Sequence, residues 1–182
     1  FYLKEHEEYD FNDMINKSIQ ILKRDGLKKK WKYIIVDEYQ DTSITKFNMI
    51  KEIINQTDAK FLAVGDDFQS IYRFTGCNLH IFLNFTKYFD NAKIFQIINT
   101  YRNPQELINV AGSFVMKNKA QQRKNLVSIK TLDKPIIIYY KENKVEALKT
   151  ILRKINKEKK QEIMVLGRNN KDINFYMDYT FK

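Results

Sequence analysis

Two short apolar runs, each ending in a pair of acids and separated by a segment of helical spacing, constrain this chain more than any other feature of its sequence. The first is Tyr33-Ile34-Ile35-Val36, closed by Asp37-Glu38; the second is Phe61-Leu62-Ala63-Val64, closed by Gly65-Asp66-Asp67. Short β-branched and apolar runs of this kind predict strands buried on both faces, the pattern of parallel sheets. Between them, Phe47, Ile50, Ile53 and Ile54 keep the 3.6-residue period of a helix that Thr42 or Ser43 can cap. Strand, helix and strand in that order make a βαβ unit.

The rest of the chain extends the alternation. Phe11, Met14, Ile15, Ser18, Ile19 and Leu22 predict a first helix, stopped by Asp25-Gly26. A helix is expected around Leu79 to Phe89, and Ile94 to Ile98 reads as a third strand. Asn103-Pro104-Gln105-Glu106 reads as a helix start, with Asn103 as N-cap and Pro104 in the first turn, the helix running to about Asn118. Residues 117 to 134 show no clear period and read as a basic surface connection. Ile136 to Tyr140 (strand), Val145 to Ile155 (helix) and Ile163 to Leu166 (strand) complete an α/β pattern.

Composition narrows the function classes. With 13 Phe and 11 Tyr in 182 residues the chain has ample material for a core. Its longest apolar run, Ile136 to Tyr140, falls far short of the ~20 residues that cross a bilayer. One cysteine, Cys77, and two histidines, His6 and His80, cannot assemble a Cys/His metal site, and a reducing, cytoplasmic compartment is expected. The first residues, without Met or a leader pattern, suggest a piece of something longer. The net charge of +10 is uneven: residues 1 to 116 hold 15 Lys/Arg and 15 Asp/Glu, and residues 117 to 182 hold 17 and 7. Such a basic third suits nucleic-acid contact, and equally a set of solvated lysines.

In open parallel sheets, ligands bind beyond the carboxyl ends of the strands, where both acid pairs lie. One carboxylate there can hold Mg²⁺ through water while a neighbour activates an attacking water. Solvated strand ends that cap the next helix are the plain structural alternative. The longer strings are more specific. VDEYQDTS (36–43), AVGDDFQSIYRFTGC (63–77) and NTYRNPQELINVA (99–111), in that order, resemble motifs II, III and IV of the UvrD/Rep/PcrA-like superfamily 1 DNA helicases. The likeness extends to YDFNDMI (9–15) and IMVLGRNN (163–170).

The resemblance implies a RecA-like α/β fold of the P-loop NTPase type, with residues 1–100 from a first motor domain and 101–182 from the start of a second. It implies ATP and Mg²⁺ as cofactors, single-stranded and duplex DNA as partners, further helicase domains in the parent, and 3′ to 5′ polarity. Asp37 would hold Mg²⁺ through water, Glu38 would activate the hydrolytic water, and Gln69 would sense the γ-phosphate. Tyr101 would stack on adenine and Arg102 would offer its fork to the γ-phosphate. Tyr72 and Phe74 would stack DNA bases, and Arg168 and Asn170 would touch the strand. Phe74 stands where many relatives carry Trp, Thr75 where Arg is commoner, and Phe68 replaces an acidic or polar residue. None of the five glycines precedes a Lys followed by Ser or Thr, so these 182 residues contain no phosphate loop. Two other classes stand beside the helicase reading: a Mg²⁺-dependent nuclease or phosphatase using Asp37, Glu38, Asp66 and Asp67, and a helicase-derived DNA-binding module without catalysis.

Overall fold

In the computed structural model the described residues are His6, 8–156, 164–171, 173 and 174. The chain divides into two compact units, Phe1–Thr131 and Leu132–Lys182.

The first unit begins with α1 (Phe11–Asp25), whose N-cap Asp10 accepts from the Asp13 N–H while the Asp13 carboxylate reaches back to the Asp10 N–H. Gly26, at φ 72°, ends the helix in a backbone that side chains disfavour. β1 (Tyr33–Val36) and β2 (Lys60–Ala63) pair in parallel, Tyr33 opposite Lys60 and Val36 opposite Ala63. Between them runs α2 (Ile44–Asn55), capped by Ser43, which accepts from the Lys46 N–H. Gln56, just past α2, ties it to α1: its carboxamide donates to the Leu22 carbonyl and accepts from the Leu27 N–H, both at 2.9 Å. The βαβ unit thus forms as its periodicity predicts.

Aromatic packing makes the core. Tyr39, Phe47, Ile50 and Ile81 are buried, the last on α3 (Leu79–Leu83), and Phe85 and Tyr88 of α4 (Phe85–Tyr88) pack against them with Phe61 and Phe89. Tyr39 meets Phe61 and Phe85 edge to face, at centroid separations of 5.9 and 5.7 Å. Burial of its hydroxyl, helped by nearby Tyr88, pushes the Tyr39 pKa up to about 12. The helix expected around Leu79 to Phe89 is present as two short pieces broken at Asn84.

Several expectations need correction. The strands are buried on one face only: Ile34, Val36, Phe61 and Ala63 turn to the core, while Tyr33, Ile35 and Leu62 are more than half exposed. In the described first unit that second face stays largely open, so alternation replaces burial on both sides. Ile94 to Ile98 is not a strand; a cavity of about 420 Å³ lies among Leu62, Val64, Ile94, Phe95 and Ile97, and without ladder partners the segment stays irregular. Among the described residues, a parallel bridge follows it, from Asn99 to Val127. Residues 117–131, read as a basic surface connection, belong to the first unit, with Gln122, Lys124, Leu126 and Ser128 partly buried in alternation. The helix expected from Asn103 is α5 (Gln105–Val115), with Pro104 itself at the N-cap and no side-chain cap; the Gln105 carboxamide instead bonds the Leu126 carbonyl and the Ser128 N–H.

In the second unit, α6 (Lys144–Asn156) matches the helix expected there. Ile136 to Tyr140 and 164 to 166 form no ladder and are mostly well exposed, again for want of a pairing strand. Ile163, the expected strand start, and Lys157 to Lys160, whose lysines suit a solvated loop, lie outside the described residues. Among the described residues no helix is long and apolar enough to cross a membrane.

This packing predicts a contrast between two phenylalanines. Phe61→Ala should destabilise the chain by about 3 kcal/mol in urea unfolding, because three aromatic neighbours lose their contact. Phe95→Ala, at a ring 84% exposed, should change stability by less than about 0.5 kcal/mol.

Candidate nucleotide and DNA site

The two acid-ended strands stop side by side, and one buried side chain joins their ends. Beyond β1 the ladder continues, with the Val64 N–H donating to the Val36 carbonyl (2.8 Å) and the Tyr39 N–H to the Val64 carbonyl (2.9 Å). Gln40, 1% exposed, then uses both ends of its amide: Nε2 donates to Glu38 Oε2 (2.7 Å) and Oε1 accepts from the Asp66 N–H (3.0 Å). Gly65 is required by this closeness, since a Cβ there would stand 2.5 Å from Gln40 Oε1 and 2.8 Å from Phe82.

Asp37 is exposed at the end of β1, its Oδ1 accepting from the Glu38 N–H (2.9 Å). Glu38 adopts φ 48°, ψ 43°, a left-handed backbone that costs an L-residue about 1 to 2 kcal/mol. Strain at an exposed acid beside a strand end is the kind that accumulates at functional positions, where the surroundings hold it in place. Here the Gln40 amide and the Tyr39–Val64 bond do so. Among the described residues no three His, Cys, Asp or Glu side chains converge as a metal site.

The second acid pair does different work. The Asp66 Oδ1 caps the Phe68 N–H (3.1 Å), and its Oδ2 accepts from Gln69 Nε2 (2.8 Å). Lys124 reaches both Asp66 and Asp67 with its ammonium and lies 4.5 Å from the centre of the Phe68 ring. Burial pushes the Asp66 carboxyl up, but the hydrogen bonds from Lys124, Gln69 and the Phe68 N–H outweigh it, so Asp66 titrates below the ordinary carboxylate range. The stability tied to that charge is present above the unfolded carboxyl pKa of about 4 and is lost as pH falls through the lower folded value. Asp67 is fully buried and also accepts from the Gln122 N–H (2.8 Å). The four carboxylates of a nuclease-type reading thus do not face one point: Asp66 and Asp67 are taken up by Lys124.

Tyr72 and Phe74 stand out from the protein, 47% and 83% exposed, with ring centroids 6.1 Å apart. A single 3₁₀ turn, Arg73–Thr75, ends at Gly76 with φ 90° and presents them. Thr75 closes that turn, its hydroxyl donating to the Tyr72 carbonyl (2.7 Å). The loop is pinned beneath: Cys77 Sγ donates to the Asp41 carbonyl and the Asn78 N–H to the Thr42 carbonyl, both at 3.0 Å. The first acid segment therefore holds the aromatic loop directly.

Tyr101 and Arg102 are exposed on the loop before α5, Tyr101 by 69%. The Arg102 N–H lies 3.5 Å from Thr100 Oγ1 and its carbonyl accepts from Lys130 Nζ (3.5 Å). Their side chains join neither acid pair. Arg168 and Asn170 belong to the second unit, where both are exposed and Asn170 opens a short helical turn. Of the residues singled out in the sequence, Glu38 and Gln69 lie on one hydrogen-bonded path through Gln40 and Asp66, with Asp37 adjoining Glu38; sequence reasoning missed Gln40 and Lys124. Gln40 lies inside the quoted motif and looks like an exposed polar residue; Lys124 sits in a lysine-rich stretch with no distinguishing signal.

The family model described as UvrD/REP helicase N-terminal domain matches residues 1–90. DNA helicase IV of Escherichia coli is 32% identical over 169 residues, covering 91% of this chain and 24% of that protein. The ATP-dependent DNA helicase PcrA of Bacillus subtilis is 28% identical over 179 residues, covering 92% of this chain and 24% of that protein. An ATP-dependent DNA helicase Rep of Buchnera aphidicola is 27% identical over 192 residues, covering the whole chain and 28% of that protein. The chain thus spans about a quarter of the length of the curated relatives it matches. With its two acid segments joined through Gln40 and its aromatic loop pinned to them, the chain belongs to the UvrD/Rep family of DNA helicases.

Proposed function

We propose that this chain is part of an ATP-driven motor that moves along single-stranded DNA and unwinds duplexes, with 3′ to 5′ polarity. The observation that carries the reading is the hydrogen-bonded path Glu38–Gln40–Asp66–Gln69 beside the exposed Asp37. It fixes a carboxylate pair and a carboxamide in one cluster, the groups a hydrolytic nucleotide site needs.

In this reading, residues 1–100 belong to a first RecA-like domain and 101–182 to a second, with ATP between them. The open apolar face of β1 and β2 is where further elements of such a domain would pack. Asp37 would hold Mg²⁺ through water, and the cation when bound supplies charge neutralisation to the phosphates. Glu38, with one oxygen on Gln40, keeps the other to accept a proton from an attacking water. Gln69 has one amide hydrogen on Asp66, leaving a second to donate to a phosphate oxygen and Oε1 to accept from that water. Arg102 offers a planar fork for phosphate and Tyr101 a face for the base, both already solvent-facing. Tyr72 and Phe74 provide sequence-tolerant stacking for DNA bases, and Arg168 and Asn170 polar contacts to the strand.

The Asp41 and Thr42 carbonyls that pin the aromatic loop give the coupling a physical route. Rearrangement at Asp37–Glu38 reaches Tyr72 and Phe74 through main-chain bonds.

Three outcomes test the reading. The full-length parent should hydrolyse ATP when single-stranded DNA is added, and Glu38→Gln should lower turnover by about 100-fold or more. The 182-residue chain without a phosphate loop should show no turnover in the same steady-state assay. Phe74→Ala in the parent should weaken single-stranded DNA binding by about 1 to 3 kcal/mol, read by fluorescence anisotropy at fixed salt. Unchanged binding in that variant would remove Phe74 from the DNA path.

A further inference from the structure

The segment 122–130 touches both parts of the candidate nucleotide site. At its start, the Gln122 N–H and the Lys124 ammonium hold Asp67, and Lys124 also holds Asp66. At its end, the Val127 carbonyl accepts from the Thr100 N–H (2.9 Å) and Lys130 Nζ donates to the Arg102 carbonyl (3.5 Å). The Ser128 N–H donates to Gln105 Oε1 (2.8 Å), at the first residue of α5. From Gln122 to Ile129 side-chain burial alternates inward and outward, as along an extended segment, and the stretch acts as a strap.

Lys124 is the strongest contact in the strap. Its side chain is 15% exposed and faces one fully buried carboxylate and one partly buried one, with an aromatic ring against it. Phe68, which stands where an acidic or polar residue is usual, gives the ammonium an apolar, quadrupolar wall. Removing that charge would leave two carboxylates facing each other in a poorly hydrated site, an arrangement proteins avoid by displacement or protonation. Either response disturbs Asp66 Oδ2, the one acceptor that Gln69 Nε2 uses.

We propose that Lys124 is a positioning residue for Gln69, acting through Asp66, and that the strap 122–130 ties this orientation to the loop carrying Tyr101 and Arg102. The inference rests on the ATP-site reading above and adds to it a residue that no motif marks. Its consequence is that Gln69 is oriented from the strap as well as from its own turn. Displacement of the strap changes what Gln69 can accept and donate.

The test is a double-mutant cycle in the full-length parent, read by DNA-stimulated ATP hydrolysis. Lys124→Met should lower kcat about tenfold with KM for ATP changed less than about threefold, and in a Gln69→Ala background it should lower kcat by less than about twofold further. Lys124→Gln, which can still donate to a carboxylate, supplies the same cycle if Lys124→Met does not fold. Losses that multiply across the two positions, or full activity in the Lys124 variants, overturn the proposal. A second readout does not depend on turnover. The Gln69 side-chain amide resonances should move in Lys124→Gln, and unmoved resonances count against the proposal even where hydrolysis is absent. A wild-type parent without hydrolysis would sink the helicase reading instead, leaving the amide signals to decide the role of Lys124.

Discussion

The buried amide of Gln40 is the interaction on which the site depends. A carboxamide 1% exposed has four hydrogen-bonding positions and little tolerance for leaving them empty. Here it spans from the carboxylate of Glu38 to the backbone of Asp66 and so converts two neighbouring strand ends into one polar cluster. Gly65 has to be glycine for that approach, Glu38 is held in a left-handed backbone beside it, and Tyr39 anchors the turn in the aromatic core. Without the bridge, only the backbone ladder through Val36, Val64 and Tyr39 would relate the two acid pairs, and no side chain would join them.

A division of labour between the acid pairs follows from the same geometry. Asp37 and Glu38 remain at the surface, with carboxylate oxygens open to solvent. Asp66 and Asp67 are drawn inward and share the Lys124 ammonium, while Gln69, bonded to Asp66, stays exposed at the second strand end. Sequence runs that look alike, two apolar stretches each followed by two acids, therefore acquire different chemistry from what packs behind them.

The fold was legible where it depends on local pattern. Ser43 caps α2, Gly26 stops α1, and the parallel pairing of β1 with β2 follows from the βαβ order. It was not legible where it depends on partners. Ile94 to Ile98 and Ile136 to Tyr140 have the composition of strands, yet a strand exists only through its ladder, and within the described residues neither has one. The exposed second face of the sheet has the same cause. At the site, Asp37, Glu38, Gln69, Tyr72 and Phe74 could be named from motif likeness, and the structure gives each a distinct setting. Lys124 could not, because its role arises from a contact with residues 58 and 57 positions earlier in the chain, which no local signal reports. Gln40 was hidden by its residue type, since glutamine is usually exposed and its burial appears only once the strand ends are side by side.

The most direct test of this account is the kinetics of Gln40→Met in the full-length parent, a change that keeps volume and removes every hydrogen bond of the bridge. If the bridge organises the hydrolytic groups, kcat for DNA-stimulated ATP hydrolysis falls by about tenfold or more while the protein still melts cooperatively and still binds single-stranded DNA through its aromatic loop. Turnover equal to wild type in a folded Gln40→Met protein would contradict the claim that these two strand ends act as one site.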